Sequence, residues 1–172
     1  MNRAMSPALF VALGLTATTA AASLPAPSSP EPRLEPVFEA EVLLAPSVKV
    51  GPTPLGQREY IPIIGGWVKG PRLAGKVRPG GWDWQLHGGR GCTQIHADYF
   101  LEAEDGTIIN VINRGKFCPA AGGGEETPFT SPEFEAPAGP HDWLNGGAYV
   151  SKIGPGQTPG RPSVHIVFYR AR

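Results

Sequence analysis

The 172-residue chain is poor in charge, has only two cysteines and contains no long hydrophobic run. Its 15 basic and 15 acidic side chains balance, so there is no electrostatic footprint for nucleic acid or an anionic membrane surface. No Cys-x-x-Cys redox or zinc spacing, no Gly-x-Ser-x-Gly nucleophile elbow and no paired-carboxylate motif occurs. The four histidines, His87, His96, His141 and His165, lack a short ligand spacing, which leaves no metal site or cofactor to expect. The glycines at 122–124 precede neither a Lys-Ser/Thr pair nor a helix and make no phosphate loop. What the chain has in excess is 23 glycines and 20 prolines, a quarter of its length. That excludes a helical bundle, and because the glycines punctuate runs that alternate apolar and polar, it favours short strands joined by turns.

The first 22 residues read as a secretory signal peptide. Arg3 is the one charge near the start, Leu9 to Leu15 is a short apolar run, and Ala20-Ala21-Ala22 offers a small-residue cleavage site. A membrane anchor is the competing reading, but a span needs about 20 apolar residues. Cleavage after Ala22 leaves a secreted chain, periplasmic if bacterial, with no further segment able to cross a bilayer. Residues 23–36 carry prolines at 25, 27, 30, 32 and 36 and read as an extended linker. The globular domain is expected over 37–172, long enough for one core.

Val37 to Leu44 sets Phe38, Ala40, Val42 and Leu44 on one face and Glu39 and Glu41 on the other, the period of a half-buried strand. Further strands are expected at 59–64, 67–69, 73–77, 82–86, 148–153 and 164–169, with Pro62 marking an edge or bulge and Gly65-Gly66 a bend. With a hairpin between Cys92 and Cys118 these make about nine short strands, and turn signals every 8 to 12 residues place them in a sandwich or barrel.

That hairpin carries the sharpest expectation. If Gly106 takes the left-handed position of a three-residue loop with a bulge, Ala103 faces Thr107 and Cys92 lies opposite Cys118. The same register puts Ile95, Ala97, Tyr99, Leu101, Ile109, Val111 and Phe117 on one face. A two-residue Asp-Gly turn would mix polar and apolar residues on both faces, so burial selects the bulged register. In an exported chain, opposed cysteines form a disulfide; a pair of reactive thiols or metal ligands is the alternative.

From Leu34 onward the chain resembles the family of small β-barrel proteins of bacteria and fungi catalogued as domain of unknown function 3237. The resemblance rests on the following stretches, in this order: Thr53-Pro54-Leu55-Gly56, Ile61-Pro62-Ile63-Ile64-Gly65-Gly66, Gly70-Pro71-Arg72-Leu73-Ala74-Gly75, Pro79-Gly80-Gly81-Trp82-Asp83-Trp84, Tyr99 with Asp105-Gly106, Asn113-Arg114-Gly115, Ser131-Pro132-Glu133-Phe134-Glu135 and Trp143-Leu144-Asn145. It implies a single antiparallel barrel of about eight to ten strands and no established reaction. His96 and Asp98 stand where the family tends to have Asp and Arg, and Thr127-Pro128-Phe129 where it tends to have Tyr-Phe-Arg. An arginine suited to an anionic group is therefore missing.

Candidate site residues follow from local chemistry. Asp83, between Trp82 and Trp84 after a Gly-Gly bend, is either a general acid or base in an apolar pocket or a carboxylate capping turn amides. Tyr99 and Asn113 fall on the apolar face of the hairpin, where polar tips need partners, as core hydrogen-bonders or as ligand contacts. His141, Trp143 and Asn145 occupy a loop read as folding over one end of the barrel, His141 as a proton shuttle or an exposed loop histidine, Trp143 as a lid or a packing residue.

Three functions remain open. The first is a secreted barrel binding a small organic molecule through Trp84, Asn113, Trp143 and Asn145. The second is a cofactor-free isomerase, cyclase or dehydratase using Asp83, Tyr99 and His141. The third is a structural or host-interaction protein with a filled core. The sequence does not fix an oligomeric state. The expectation that can be checked directly is that Trp84, Tyr99, Asn113 and Trp143 approach one cavity.

Overall fold

The computed structural model describes residues 30–119 and 128–172. The expected signal peptide over 1–22 and the first half of the expected linker, 23–29, lie outside the described residues, as does Thr127. The strands are β1 (Leu34–Leu44), β2 (Val48–Thr53), β3 (Gly56–Lys69), β4 (Gly75–Val77), β5 (Gly81–His87), β6 (Thr93–Ala103), β7 (Ile108–Phe117), β8 (Phe129–Glu135), β9 (Tyr149–Pro155) and β10 (Ser163–Ala171).

All pairings are antiparallel and close a barrel. The order runs β1, β10, β9, β8, β7, β6, then β4 and β5 sharing one position, then β3, which returns to β1. β4 takes the lower half of that shared stave and β5 the upper half, separated at Pro79-Gly80. β2 continues the line of β1 along the upper half of β3. That gives eight staves, a number whose interior admits side chains or one small ligand.

The β6–β7 hairpin has the expected register: Thr93 faces Phe117, Ala97 faces Asn113 and Tyr99 faces Val111. Gly106 sits at φ +84°, the amide of Ala103 donates to the carbonyl of Thr107, and Cys92 and Cys118 are joined in a disulfide.

Elsewhere the chain departs from the simple reading. β1 starts at Leu34, opposite Ala171, so 34–36 belong to the barrel rather than to the linker. β3 is one 14-residue strand, not two. Gly65-Gly66 makes no corner; Leu43 pairs with Gly65 and Leu44 with Ile63, leaving Ile64 as the extra residue of a bulge. Pro62 is tolerated because it falls where the neighbour of β3 changes from β2 to β1, and its carbonyl still accepts from the amide of Ala45. β2 and β8 were hidden by Gly51-Pro52 and Ser131-Pro132, turn-like residues that here lie within strands.

Inward side chains fill the lower half solidly. Phe38, Phe134, Tyr149 and Phe168 form an aromatic cluster with centroids 4.5 to 5.7 Å apart. Leu101, Ile109 and Val111 are fully buried beside them, and full burial of a side chain of this kind is worth about 2 kcal/mol. A short helical turn, Asp142–Asn145, closes this end with Leu144 buried beneath it.

Candidate functional site

Above that packed half the barrel interior is hollow. The cavity has a volume of about 400 Å³, within the range of small-molecule sites. Its walls are apolar, chiefly Val42, Leu44, Ile61, Ile63, Ile95, Phe117, Ile153, Val164 and Ile166. Five polar side chains also line it: Asp83, Gln85, Thr93, Tyr99 and Asn113.

Tyr99 and Asn113 come from the inner face of the β6–β7 hairpin, diagonal to each other across the Ala97–Asn113 pair. Both are almost wholly buried, at 1% exposure each. The Asn113 amide nitrogen donates to the Ser151 hydroxyl at 3.2 Å, and Ser151 is hydrogen-bonded in turn to Thr130. That arrangement fixes the amide and leaves Asn113 Oδ1 without a partner among the described residues; the Tyr99 hydroxyl also has none. Burial, and then the nearby charge of Asp83, push the Tyr99 phenol well above its ordinary value. It therefore stays a neutral hydroxyl able to donate or accept.

Asp83 enters from β5, opposite Ile61 on one side and Ala97 on the other. Its Oδ2 accepts from Gln85 at 2.7 Å and its Oδ1 from the amide of His96 at 3.1 Å. Burial raises its carboxyl above the ordinary range, although those two bonds pull the other way. The capping role considered from the sequence is thus partly real, since the carboxylate does hold a backbone amide, but that amide belongs to β6 and not to a turn.

A second group of titratable residues stands at the upper rim. Glu59 on β3 and His87 on β5 lie 2.6 Å apart, His87 Nδ1 lies 3.0 Å from the Thr93 hydroxyl, and Lys49 on β2 pairs with the other oxygen of Glu59. Hydrogen bonds from Lys49 and then His87 outweigh burial and bring Glu59 down to about 2. No local spacing announces this group. Its members sit at 49, 59, 87 and 93, and only the register of four strands makes them neighbours.

The other sequence candidates lie elsewhere. Side chains alternate along β5, so an inward Asp83 forces Trp82 and Trp84 outward; Trp82 is 47% exposed, and Trp84 carries Arg58 over its ring at 5.2 Å. Trp84 is therefore not a cavity residue. His141, Trp143 and Asn145 belong to the cap at the opposite, packed end. His141 is 3.1 Å from Asp105 in the hairpin turn, Trp143 lies under Arg72 at 4.3 Å, and the Asn145 amide makes two bonds to the backbone of Ala136. The loop does close one end of the barrel, as expected, but the hollow is at the other end. His96 and Asp98 point outward, so the departure from the family's pattern at these positions leaves the cavity unchanged. Among the described residues no group of three or more His, Cys, Asp or Glu could hold a metal ion. No helix among them is long and apolar enough to cross a membrane.

The family model described as a protein of unknown function, DUF3237, matches residues 32–171, which takes in every strand of this barrel. The chain belongs to that family. A UPF0311 protein of Rhodopseudomonas palustris (strain TIE-1) is 36% identical over 84 residues, 48% of this chain and 55% of the relative. The chain thus spans about half the length of the curated relatives it matches. A solved structure from Acinetobacter baumannii, described as a beta-barrel like protein, superposes with a TM-score of 0.73 at 27% identity, covering 84% of this chain and 99% of the other. An enzyme from Penicillium herquei has the same fold, with a TM-score of 0.64 at 22% identity over 85% of this chain and 99% of its own. That last likeness is one of fold alone.

Proposed function

We propose that this family member binds a small organic molecule inside the upper half of its barrel. The observation that carries the reading is the pair of orphaned polar atoms, Tyr99 OH and Asn113 Oδ1, set in an otherwise apolar cavity. A buried unsatisfied group costs about 1–3 kcal/mol, and a ligand supplying one acceptor and one donor removes that cost. Among the described residues the lining holds no Lys, Arg or His, and its one carboxyl is Asp83. The preferred ligand is accordingly neutral, mostly apolar and hydroxyl-bearing rather than a carboxylate. The Cys92–Cys118 bond fits an exported protein in an oxidising compartment.

Equilibrium dialysis with 1-naphthol tests this. Native protein is expected to retain the probe, with Tyr99→Phe and Asn113→Leu weakening retention about tenfold and Trp143→Ala, at the far end, leaving it within about twofold. Failure of the native protein to retain 1-naphthol, or equal retention by the cavity variants, would overturn the reading.

A catalytic reading on the same cavity is favoured by one further observation: a carboxyl raised by burial lies in the same wall as a neutral phenol. This is the kind of pairing from which general acid–base chemistry is built. Turnover of a bound hydroxylated compound without added cofactor, lost in Asp83→Asn with binding retained, would distinguish it from binding alone.

A further inference from the structure

We propose that Glu59, His87 and Thr93 form a proton relay that opens on the cavity and ionises a bound phenol or enol. This rests on the ligand-binding reading and goes beyond it, because binding alone requires nothing of the rim.

The direction of each hydrogen bond can be worked out. Glu59 is held as a carboxylate and can only accept, so the 2.6 Å contact requires the proton on His87 Nε2. When the ring carries only that proton, Nδ1 is an acceptor, and the 3.0 Å contact to Thr93 is then a bond donated by the threonine hydroxyl. With its hydrogen committed to His87, the Thr93 oxygen offers only lone pairs to other partners. Thr93 lines the cavity, with an imidazole behind it and a carboxylate behind the imidazole.

Such a row moves a proton without moving heavy atoms. A ligand O–H that donates to Thr93 Oγ1 passes its proton to that oxygen as the threonine proton passes to His87 Nδ1. The ligand becomes an oxyanion and His87 an imidazolium, whose charge is balanced by Glu59. The carboxylate holds the ring in its tautomer and stabilises the cation once formed, the role a buried carboxylate plays behind any such imidazole. Lys49, on the far side of Glu59 and largely exposed, keeps Glu59 ionised.

The register of the strands explains why the three side chains are neighbours. His87 faces Thr93 directly across the β5–β6 ladder, while Gln85 faces Glu59 across β3–β5, so Glu59 is diagonal to His87 on the same inner face. The charged and titratable groups facing His87 are Glu59 from β3, Lys49 from β2 by way of Glu59, and Asp83 farther down β5 with Gln85 between. The His87 side chain is 39% exposed, so the proton can be returned to solvent from the rim.

The probe is 1-naphthol, whose naphtholate absorbs at longer wavelength than the neutral form. Retention is read by equilibrium dialysis, and ionisation by the near-ultraviolet absorbance of the bound fraction. Both are measured at about pH 8, above the ordinary imidazole range and below the free probe's own midpoint. The native protein is expected to retain the probe and to ionise it about tenfold more than solvent does, a lowering of the probe's pKa by about one unit. His87→Gln is expected to retain the probe but leave it neutral; Thr93→Val, which removes the accepting oxygen, is expected to weaken retention and leave the bound fraction neutral, while Thr93→Ser keeps both retention and ionisation. Glu59→Gln should reduce ionisation with retention unchanged. A probe that the native protein retains in neutral form, or ionises equally in His87→Gln, overturns the relay alone. A probe that the native protein does not retain overturns the ligand reading for this class and the relay with it.

Discussion

Glu59 and Asp83 are diagonal neighbours on the inner faces of β3 and β5, and their carboxyls are displaced in opposite directions. Lys49 and His87 hold Glu59 low, whereas burial lifts Asp83, helped by the charge of Glu59 itself. One barrel wall thus keeps a permanent anion at its rim and a protonatable acid deeper in.

Acid titration of stability separates the two. Glu59, at about 2 against an ordinary 4.5, adds stability above about pH 4.5 that is lost as the pH falls toward 2. Glu59→Gln should therefore lower the thermal midpoint at pH 7, with the difference closing near pH 2. Asp83 has the opposite sign. Its raised folded value costs nothing below about 3.8 and destabilises as the pH rises through that value. Asp83→Asn is expected to match the native midpoint at low pH and to equal or exceed it at pH 7. Midpoints by circular dichroism across this range check both.

The mature protein should show no free thiol by Ellman titration after denaturation without reductant. The Cys92–Cys118 bond closes 26 positions of chain, for which the chain-entropy model gives about 3.5 kcal/mol as an upper figure, since the hairpin already closes much of that loop. Cys92→Ser with Cys118→Ser should lower stability by less than that and weaken 1-naphthol retention, because Thr93 and Phe117 beside the bond both line the cavity.

Two glycines should respond differently. A side chain at Gly106 meets nothing within 4 Å but must adopt φ +84°, so Gly106→Val is expected to cost about 1–2 kcal/mol from backbone strain alone. At Gly66 the added carbon would sit 1.9 Å from the carbonyl oxygen of Glu41, in the pairing that closes the barrel. Gly66→Ala should cost more, about 3 kcal/mol or above. Urea denaturation of the two variants ranks them.

Tyr99→Phe should raise the stability of the unliganded protein by about 1 kcal/mol while weakening ligand retention, because it removes a buried hydroxyl with no partner among the described residues. A destabilised variant would mean that the hydroxyl is satisfied in solution.

Much of the architecture was legible because strand alternation is local. The β6–β7 register followed from two apolar faces and one glycine, and the position of Tyr99 and Asn113 followed from the register. The same alternation turns Trp82 and Trp84 outward once Asp83 points inward, so their proximity to Asp83 in sequence is not proximity to the cavity. The loop carrying His141, Trp143 and Asn145 was recognised as a cap, and nothing local told which end of the barrel it covers. Lys49, Glu59, His87 and Thr93 had no local signal, since their adjacency arises only from pairing across β2, β3, β5 and β6. β2 and β8 escaped because Pro52 and Pro132 resemble turn residues until their neighbours are known.

β1 touches both β10 and β3, with Leu34 opposite Ala171 and Val42 opposite Gly66. Its partner on one side is thus the last of the ten described strands to be made. Until Ser163–Ala171 is available, β1 and β9 each keep an unpaired edge, the kind of surface that recruits a strand from another copy. Contacts of such long sequence separation also slow folding, because chain entropy is lost before they form. Closure of the barrel therefore waits for the last of these strands. A copy cut short before β10 would be an open sheet prone to self-association, not a weaker version of the same protein.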